Sequence, residues 1–382
     1  MPDDKKTLVP TYSVTVDGAV LPDNITLFLQ WIEIRQSIRL IDMAVLCFEN
    51  PGGTVGDNAL FKHGKEIEVE LGYLGEIKWV FKGDIVSVEP EFPMGAAPMV
   101  QIRAYDRLHR YRRGRKQRTF LNQKVSDVVT TLASEDGLSP DVEDTKLQHE
   151  YLLQNNQTNI DYIHELGRRH GYEVEVTDRG KKLFFKRPRY DQGKAHTLSW
   201  LKELKGFYVR KSVDNVPTEV QCRYWDMKQK KAITEKHDKV HGELEAIDVG
   251  PKEANKAFGK AEVLISLRQN VAPAEAKALA ESVFNELALE SVKGRGSAVG
   301  DTKIVPGMVL ELLNLGTTWS GLYYVVATTQ LYDRRSGYTT EFEVRRTGTG
   351  YAAKSEFIQP AAAGASAEPA ESKELGATLS HG

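Results

Sequence analysis

Apolar and polar residues alternate through most of the first hundred positions. In "YSVTVDGAVL", Tyr12, Val14 and Val16 fall on one face, and Asp17-Gly18 supplies a two-residue hairpin turn. In "EIEVELGY", Ile67, Val69, Leu71 and Tyr73 share one face, with Glu66, Glu68 and Glu70 on the other. A period of two marks a half-buried strand whose acidic face is solvated. "WVFKGDIVSVEPEF" and "MVQIRAYDRL" continue the series as an antiparallel meander.

Near residue 120 the period lengthens. Val125, Val128, Val129 and Leu132 have helical spacing, and Gly137 is the expected stop. A second helix begins at Thr158, with Asp161 completing a capping-box-like pattern. Ile160, Ile163 and Leu166 form its apolar stripe, and Gly171 ends it. "YEVEVTDRGKKLFFKRP" then reads as a hairpin turning at Asp178-Arg179-Gly180. Residues 115–190 form a small α/β insert between β-rich regions. Strands resume with "GFYVRKSV" and "PTEVQCRYWD", and an Ala-rich helix is predicted over about 273–293, from Pro273 to Gly294. "GMVLELLNLG", "LYYVVATTQLYD" and "YTTEFEVRR" are again antiparallel in character. After Tyr351 the Ala/Ser/Glu/Pro-biased segment lacks the large apolar residues a core needs and reads as disordered.

Residues 64–107 and 307–346 share a layout. Each opens with Gly and a hydrophobic strand carrying an internal Glu (Glu68, Glu311). A Trp (Trp79, Trp319) then leads into a Val-rich strand, and the last strand ends in Arg. Identity is slight and two meanders can coincide by chance, but the match suggests one β-domain type used twice.

At 382 residues the chain is long enough for two or three domains. The N-terminal "MPDDKKTLVPTYSV" has no apolar signal region, and no segment has the length of a membrane helix. Cys47 and Cys222 sit in apolar strand-like segments and read as buried thiols. Phosphate-loop, nucleophile-elbow, paired-cysteine and zinc-helix motifs are all missing, which argues against an enzyme. His237 and His241 are four apart in a polar segment without helical periodicity and read as solvated loop residues. His164 and His170, six apart on one helix, point in different directions.

One stretch stands out by charge. "RLHRYRRGRKQR" (107–118) holds seven Lys or Arg, although the chain carries 51 basic and 53 acidic side chains and a net charge of −2. It follows a strand and precedes a helix, so it is expected to be a connector with an exposed basic face. The candidate interaction residues are Arg107, Arg110, Arg112, Arg113, Arg115 and Arg118. Six acids within residues 134–150 make a charge match within or between subunits the plainer reading. A nucleic-acid grip is the alternative.

"VQIRAYDRLHRYRRGRKQRTFLNQKVSDVVTTLASEDGL" resembles the late control gene D family of phage tail hub proteins. The same block occurs in the hub portion of type VI secretion VgrG spikes. "NNQTNIDYIHELGRRHGYEVEVTDRGKKLFF" fits the family's next block, and "VQCRYWDMKQKKAI" fits its second β-domain. The resemblance covers roughly residues 10–346. It implies a mainly β fold with an α/β insert (α+β), built from two tube-like antiparallel β-barrel domains and a small α/β domain. The expected limits are 1–110, 111–195 and 196–346, followed by a disordered tail over 347–382.

The family implies a homotrimeric hub that adapts a hexameric inner tube to a trimeric spike. Its partners would be the inner tube protein, the spike and baseplate wedge or other baseplate proteins, with no membrane in the resting state; the near-neutral charge of the whole chain argues against nucleic acid. It brings no catalytic residues, metal or cofactor. Fused relatives continue into a further barrel and a needle, and too few residues follow Arg346 for either, so a separate spike chain is expected. The expected location is the baseplate of a virion or injection particle, assembled in the bacterial cytoplasm.

Overall fold

The computed structural model describes residues 8–190, 194, 196–226, 229–241, 244, 246–267 and 271–351. The chain opens with β1 (Pro10–Val16), whose two-residue turn returns it into β2 (Ala19–Val20). Asp17 and Gly18 both have positive φ, which the tight right-twisted turn requires. A short helix α1 (Asp23–Thr26) leads to β3 (Leu29–Ser37), β4 (Met43–Glu49), β5 (Glu66–Tyr73), β6 (Glu76–Glu91) and β7 (Met99–Tyr105). Ile67, Val69 and Leu71 are buried, while Glu66, Glu68 and Glu70 stay partly exposed, as the alternation predicts. All six long strands send side chains into one contiguous core that includes Val14, Ile34, Phe48, Ile67, Phe81 and Ile102. A flat sheet could not do this, so the sheet is rolled.

The insert has its own core. β8 (Lys116–Lys124) leads into α2 (Val125–Glu135), then β9 (Ser139–Val142) and β10 (Gln148–Gln157). α3 (Asn159–His170) follows, with β11 (Glu173–Thr177) and β12 (Lys182–Lys186). The caps are as expected: Thr158 accepts from the Asp161 N–H, and Gly171 is left-handed. The ribbon of β8 and β10 was not expected. The connector expected over 107–118 thus ends in a strand, one without an apolar alternation to announce it, since Phe120 is the only buried side chain of β8.

The second β-rich region starts with β13 (His196–Ser199) and β14 (Leu204–Lys211). An excursion follows: β15 (Glu219–Asp226), β16 (Lys231–His237), β17 (Ala246–Val249), α4 (Gly250–Phe258), β18 (Glu262–Ser266) and α5 (Pro273–Ala288). β15, β16 and β18 form a separate three-stranded sheet packed on α5 through Val220, Cys222, Ala276 and Phe284. Strand 219–226 therefore does not join the main sheet. Helix α5 ends at Ala288, earlier than expected, because Val292 onward is pulled into β19 (Val292–Val299). β20 (Val309–Leu313), α6 (Gly316–Trp319), β21 (Gly321–Asp333), β22 (Gly337–Arg346) and β23 (Gly348–Tyr351) complete the chain. β23 pairs with β17, so residues 348–351 are ordered and do not belong to the tail expected from 347. The rest of that tail lies outside the described residues.

The main sheet has 13 strands, and it contains the same unit twice. Across the first half the order is β1-β5-β6-β7-β4-β3, and across the second it is β13-β20-β21-β22-β19-β14. Taken in chain order, the strands occupy identical places in both. Registers agree as well: Asp84 opposite Tyr105 matches Tyr324 opposite Arg345. One bulge follows Ile85 and its twin follows Val325, and a second pair of bulges follows Leu29 and Leu204. In this register Glu68 coincides with Glu311, whereas Trp79 lies in β6 and Trp319 in α6, ahead of β21, so no strand pairing aligns the two. The difference lies in β13, which runs parallel to β20, whereas β1 is antiparallel to β5. The halves join where β3 pairs with the distal part of β21.

Candidate interaction surfaces

The basic run is largely a structural latch. Residues Arg107–Arg112 form a 3-10 helix capped by Asp106, whose carboxylate accepts from the Leu108 N–H at 2.7 Å. Leu108 and Tyr111 point inward, three apart, and are buried in the insert core. The Tyr111 hydroxyl donates to the Ala133 carbonyl at 2.7 Å. That apolar pair was the signal that the run is anchored along one side.

The surrounding charges are tied to acids in two directions. Arg110 forks onto Asp84 of β6 through Nε at 2.7 Å and Nη2 at 2.9 Å, and His109 Nε2 lies 2.7 Å from the same carboxylate. Burial alone would raise the Asp84 carboxyl, but hydrogen bonds and charge from His109 and Arg110 outweigh it and hold it at about 2. Arg107 donates to Glu66 of β5 at 3.0 Å. Arg118 reaches into the insert, to Glu135 at 2.6 Å, Gln154 at 2.8 Å and Asn159 at 2.9 Å. The run thus clamps the insert to the first half of the sheet, and the charge match with residues 134–150 holds for Arg118. Arg115 donates to the Asn156 carbonyl at 2.9 Å. Arg112 and Arg113 are exposed and form no ion pair among the described residues.

Two buried carboxylates hold the same seams. Glu173 of β11 accepts from the Tyr324 hydroxyl of β21 at 2.6 and 2.7 Å, joining the insert to the second half. Burial pushes it up to about 7. Asp106 is likewise pushed up to about 7 by burial, against backbone hydrogen bonds from Asp42 and Leu108. Sequence reasoning missed both, because nothing in a local pattern shows that a distant tyrosine or a distant N–H will meet them.

A stability profile follows. The folded protein binds these two protons more tightly than the unfolded chain, so the stability they contribute is complete at low pH and lost as pH rises through about 7. His164 and His170, whose basicity burial lowers, act in the opposite sense below about pH 6.5. The melting temperature should therefore rise as pH falls from about 8 to about 6.5 and then flatten. Glu173→Gln should reduce the rise. A melting temperature that falls over that interval would contradict this account.

A family model described as the Alg8 N-terminal domain matches residues 6–332. The chain belongs to that family. This is not the family to which the sequence resemblance points. No curated protein matches the chain in sequence. Solved structures share the fold of this Alg8 N-terminal domain family member at low identity. A 43 kDa tail protein of prophage MuSo2 from Shewanella oneidensis superposes with a TM-score of 0.68 at 12% identity, over 88% of this chain and 98% of that one. A tail protein from Neisseria meningitidis MC58 gives 0.65 at 13%, over 88% and 97%. The E. coli c3393 protein, a component of the type VI secretion system, gives 0.57 at 12%, over 91% and 80%. The fold is that of phage tail proteins: mainly β, with helices set into an antiparallel framework.

Proposed function

We propose that this protein is a structural, non-catalytic hub of a contractile phage tail or a phage-derived injection system. It would assemble as a homotrimer, adapt a hexameric inner tube to a separate trimeric spike, and resemble late control gene D proteins in this role. The observation that carries the reading is the duplicated six-stranded unit with matched bulges. Three chains supply six near-equivalent units, which meet a six-fold tube on one side while true three-fold symmetry remains for a spike. The likeness to prophage tail proteins supports it.

The sheet face turned away from both cores fits a channel wall. It carries Glu33, Arg35, Arg103, Arg295, Glu341 and Glu343, partly or fully exposed and of both signs. Arg112 and Arg113 are left for baseplate or other virion partners. The nucleic-acid alternative finds no support in the fold relatives, and in-chain acids already hold Arg107, Arg110 and Arg118. No described helix is long and apolar enough to cross a membrane.

Native mass measurement of the full chain, followed by electron microscopy of the particle, tests the proposal. The expected result is three copies of the 42.8 kDa chain around one channel, burying on the order of 2,000 Å² or more at the interfaces. A dimer, or a trimer whose halves do not alternate around one channel, would overturn it.

A further inference from the structure

Inside the chain, the two halves are joined by a strand ladder whose counterpart surfaces are left open. β3 lies on the distal part of β21, with Ala327 opposite Ser37, Thr329 opposite Arg35 and Tyr332 opposite Ile32. There Ile32, Ile34 and Gln330 are all 0% exposed. By the registers given above, β14 is the second-half equivalent of β3, and β6 is the first-half equivalent of β21. β14 ends the sheet: among the described residues no strand pairs with its outer side, which carries only a single bridge from Leu204 to Trp200 at its start. Its core-facing Phe207 and Val209 are only partly buried, and Tyr208 is 71% exposed. Beyond Ile85, β6 pairs on the β7 side alone among the described residues, and Phe92 just past its end is also 71% exposed.

We propose that β14 of one chain pairs with residues 86–92 of a second copy, in the register that β3 adopts on β21. The pairing deepens the ring reading above and rests on it. The transferred register puts Ser87 opposite Ser212, Glu89 opposite Arg210, Glu91 opposite Tyr208 and Phe92 opposite Phe207. Glu89, which Arg103 of its own chain already forks at 2.9 Å, gains Arg210 as a second base, and an exposed aromatic covers a partly buried one. Pro90 takes the place of Gln330. In the internal ladder the Ile38 N–H donates to the Val326 carbonyl and the Arg334 N–H to the Gln30 carbonyl, so every second residue from Val326, Gln330 included, turns its backbone toward β3. Pro90 therefore offers a carbonyl but no N–H to the incoming strand. The seam loses one bond there, and the free edge is protected against indiscriminate strand addition. The two edges differ, so the contact is head-to-tail, and such contacts close into a ring when the rotation allows.

Glu89 and Arg210 occupy a non-hydrogen-bonded pair in this register, where Cα atoms stand about 4.5 Å apart, within disulfide reach. The full-length double variant Glu89→Cys/Arg210→Cys should give covalent dimers and trimers on non-reducing gels after mild oxidation. Glu89→Cys/Lys205→Cys, out of register, should not. In a second test free of engineered thiols, Arg210→Glu faces Glu89 with a like charge. It should weaken self-association at least tenfold with an unchanged melting temperature of the separated chain, while Arg210→Lys should retain assembly. A trimer by native mass that yields no in-register cross-link, or that tolerates Arg210→Glu, would overturn the seam and leave the ring reading standing. A chain that stays monomeric and uncross-linked at high concentration would overturn both.

Discussion

Arg346→Ala should lower the melting temperature by about 6 °C, equivalent to roughly 3 kcal/mol. Arg346 ends β22 and is 0% exposed. Its guanidinium donates to the Ser320 carbonyl at 3.2 Å and to the Gly350 carbonyl, and it lies 5.4 Å over the Tyr323 ring. It thus sews the last strand, β23, to the end of α6. Gly321, with φ +142°, leaves room for it: a Cβ there would sit 2.6 Å from Nη1. Truncation opens a void and removes donors from two carbonyls, each worth about 1–3 kcal/mol when left buried and unmet. Relief from burying a charge offsets part of this. Arg346→Met restores volume without donors, so it should recover only the packing share. An alanine variant melting within 1 °C of the parent would show that the carbonyls find other partners at no cost.

The position of Arg346 shows what a linear reading can and cannot reach. The repeated layout of 64–107 and 307–346 was visible as strands, an internal acid and a Trp, and the registers place Glu68 on Glu311 as that layout suggests. The terminal arginines were a false match. Arg346 coincides with Asp106, and both are buried at the same place with opposite charge. One is satisfied by backbone N–H groups and the other by carbonyls. Such a swap is invisible to residue matching, because the fold conserves a buried polar position and leaves its sign to whatever backbone lies nearby.

Helices α2 and α3 were legible because their stripes and caps are local. The basic run does connect β7 to β8 and does match acids within the chain, but its partners Glu66 and Asp84 are not legible locally because they come from strands about forty and twenty-five positions upstream. The join between halves was not legible at all, since β3 and β21 lie nearly three hundred positions apart.

That join should fail when Gln330 is truncated. Gln330→Ala is expected to cost about 3–5 kcal/mol, the largest single loss anticipated for the second half. The side chain is 0% exposed and uses both ends of its amide. Oε1 accepts from Tyr338 at 2.8 Å and Thr340 at 2.6 Å, and Nε2 donates to the Ile304 carbonyl at 3.1 Å. One residue therefore ties β21, β22 and the segment before β20 together, directly beneath Ile34 of β3. Alanine leaves a hydroxyl and a carbonyl without their partner, and Thr340 keeps only its contacts with Asp301. Gln330→Leu keeps the volume, so a loss of similar size there would assign the effect to the hydrogen bonds. Hydrogen exchange locates it: amides of β3 that face β21 should open sooner in the variant, while those in the insert should not change. The seam proposed between chains has Pro90 at this position and no such network, so it can form late and reversibly, whereas the internal join must be set during folding. If Gln330→Ala exchanged at parental rates across β3, the polar network would be incidental and the join would rest on strand pairing alone.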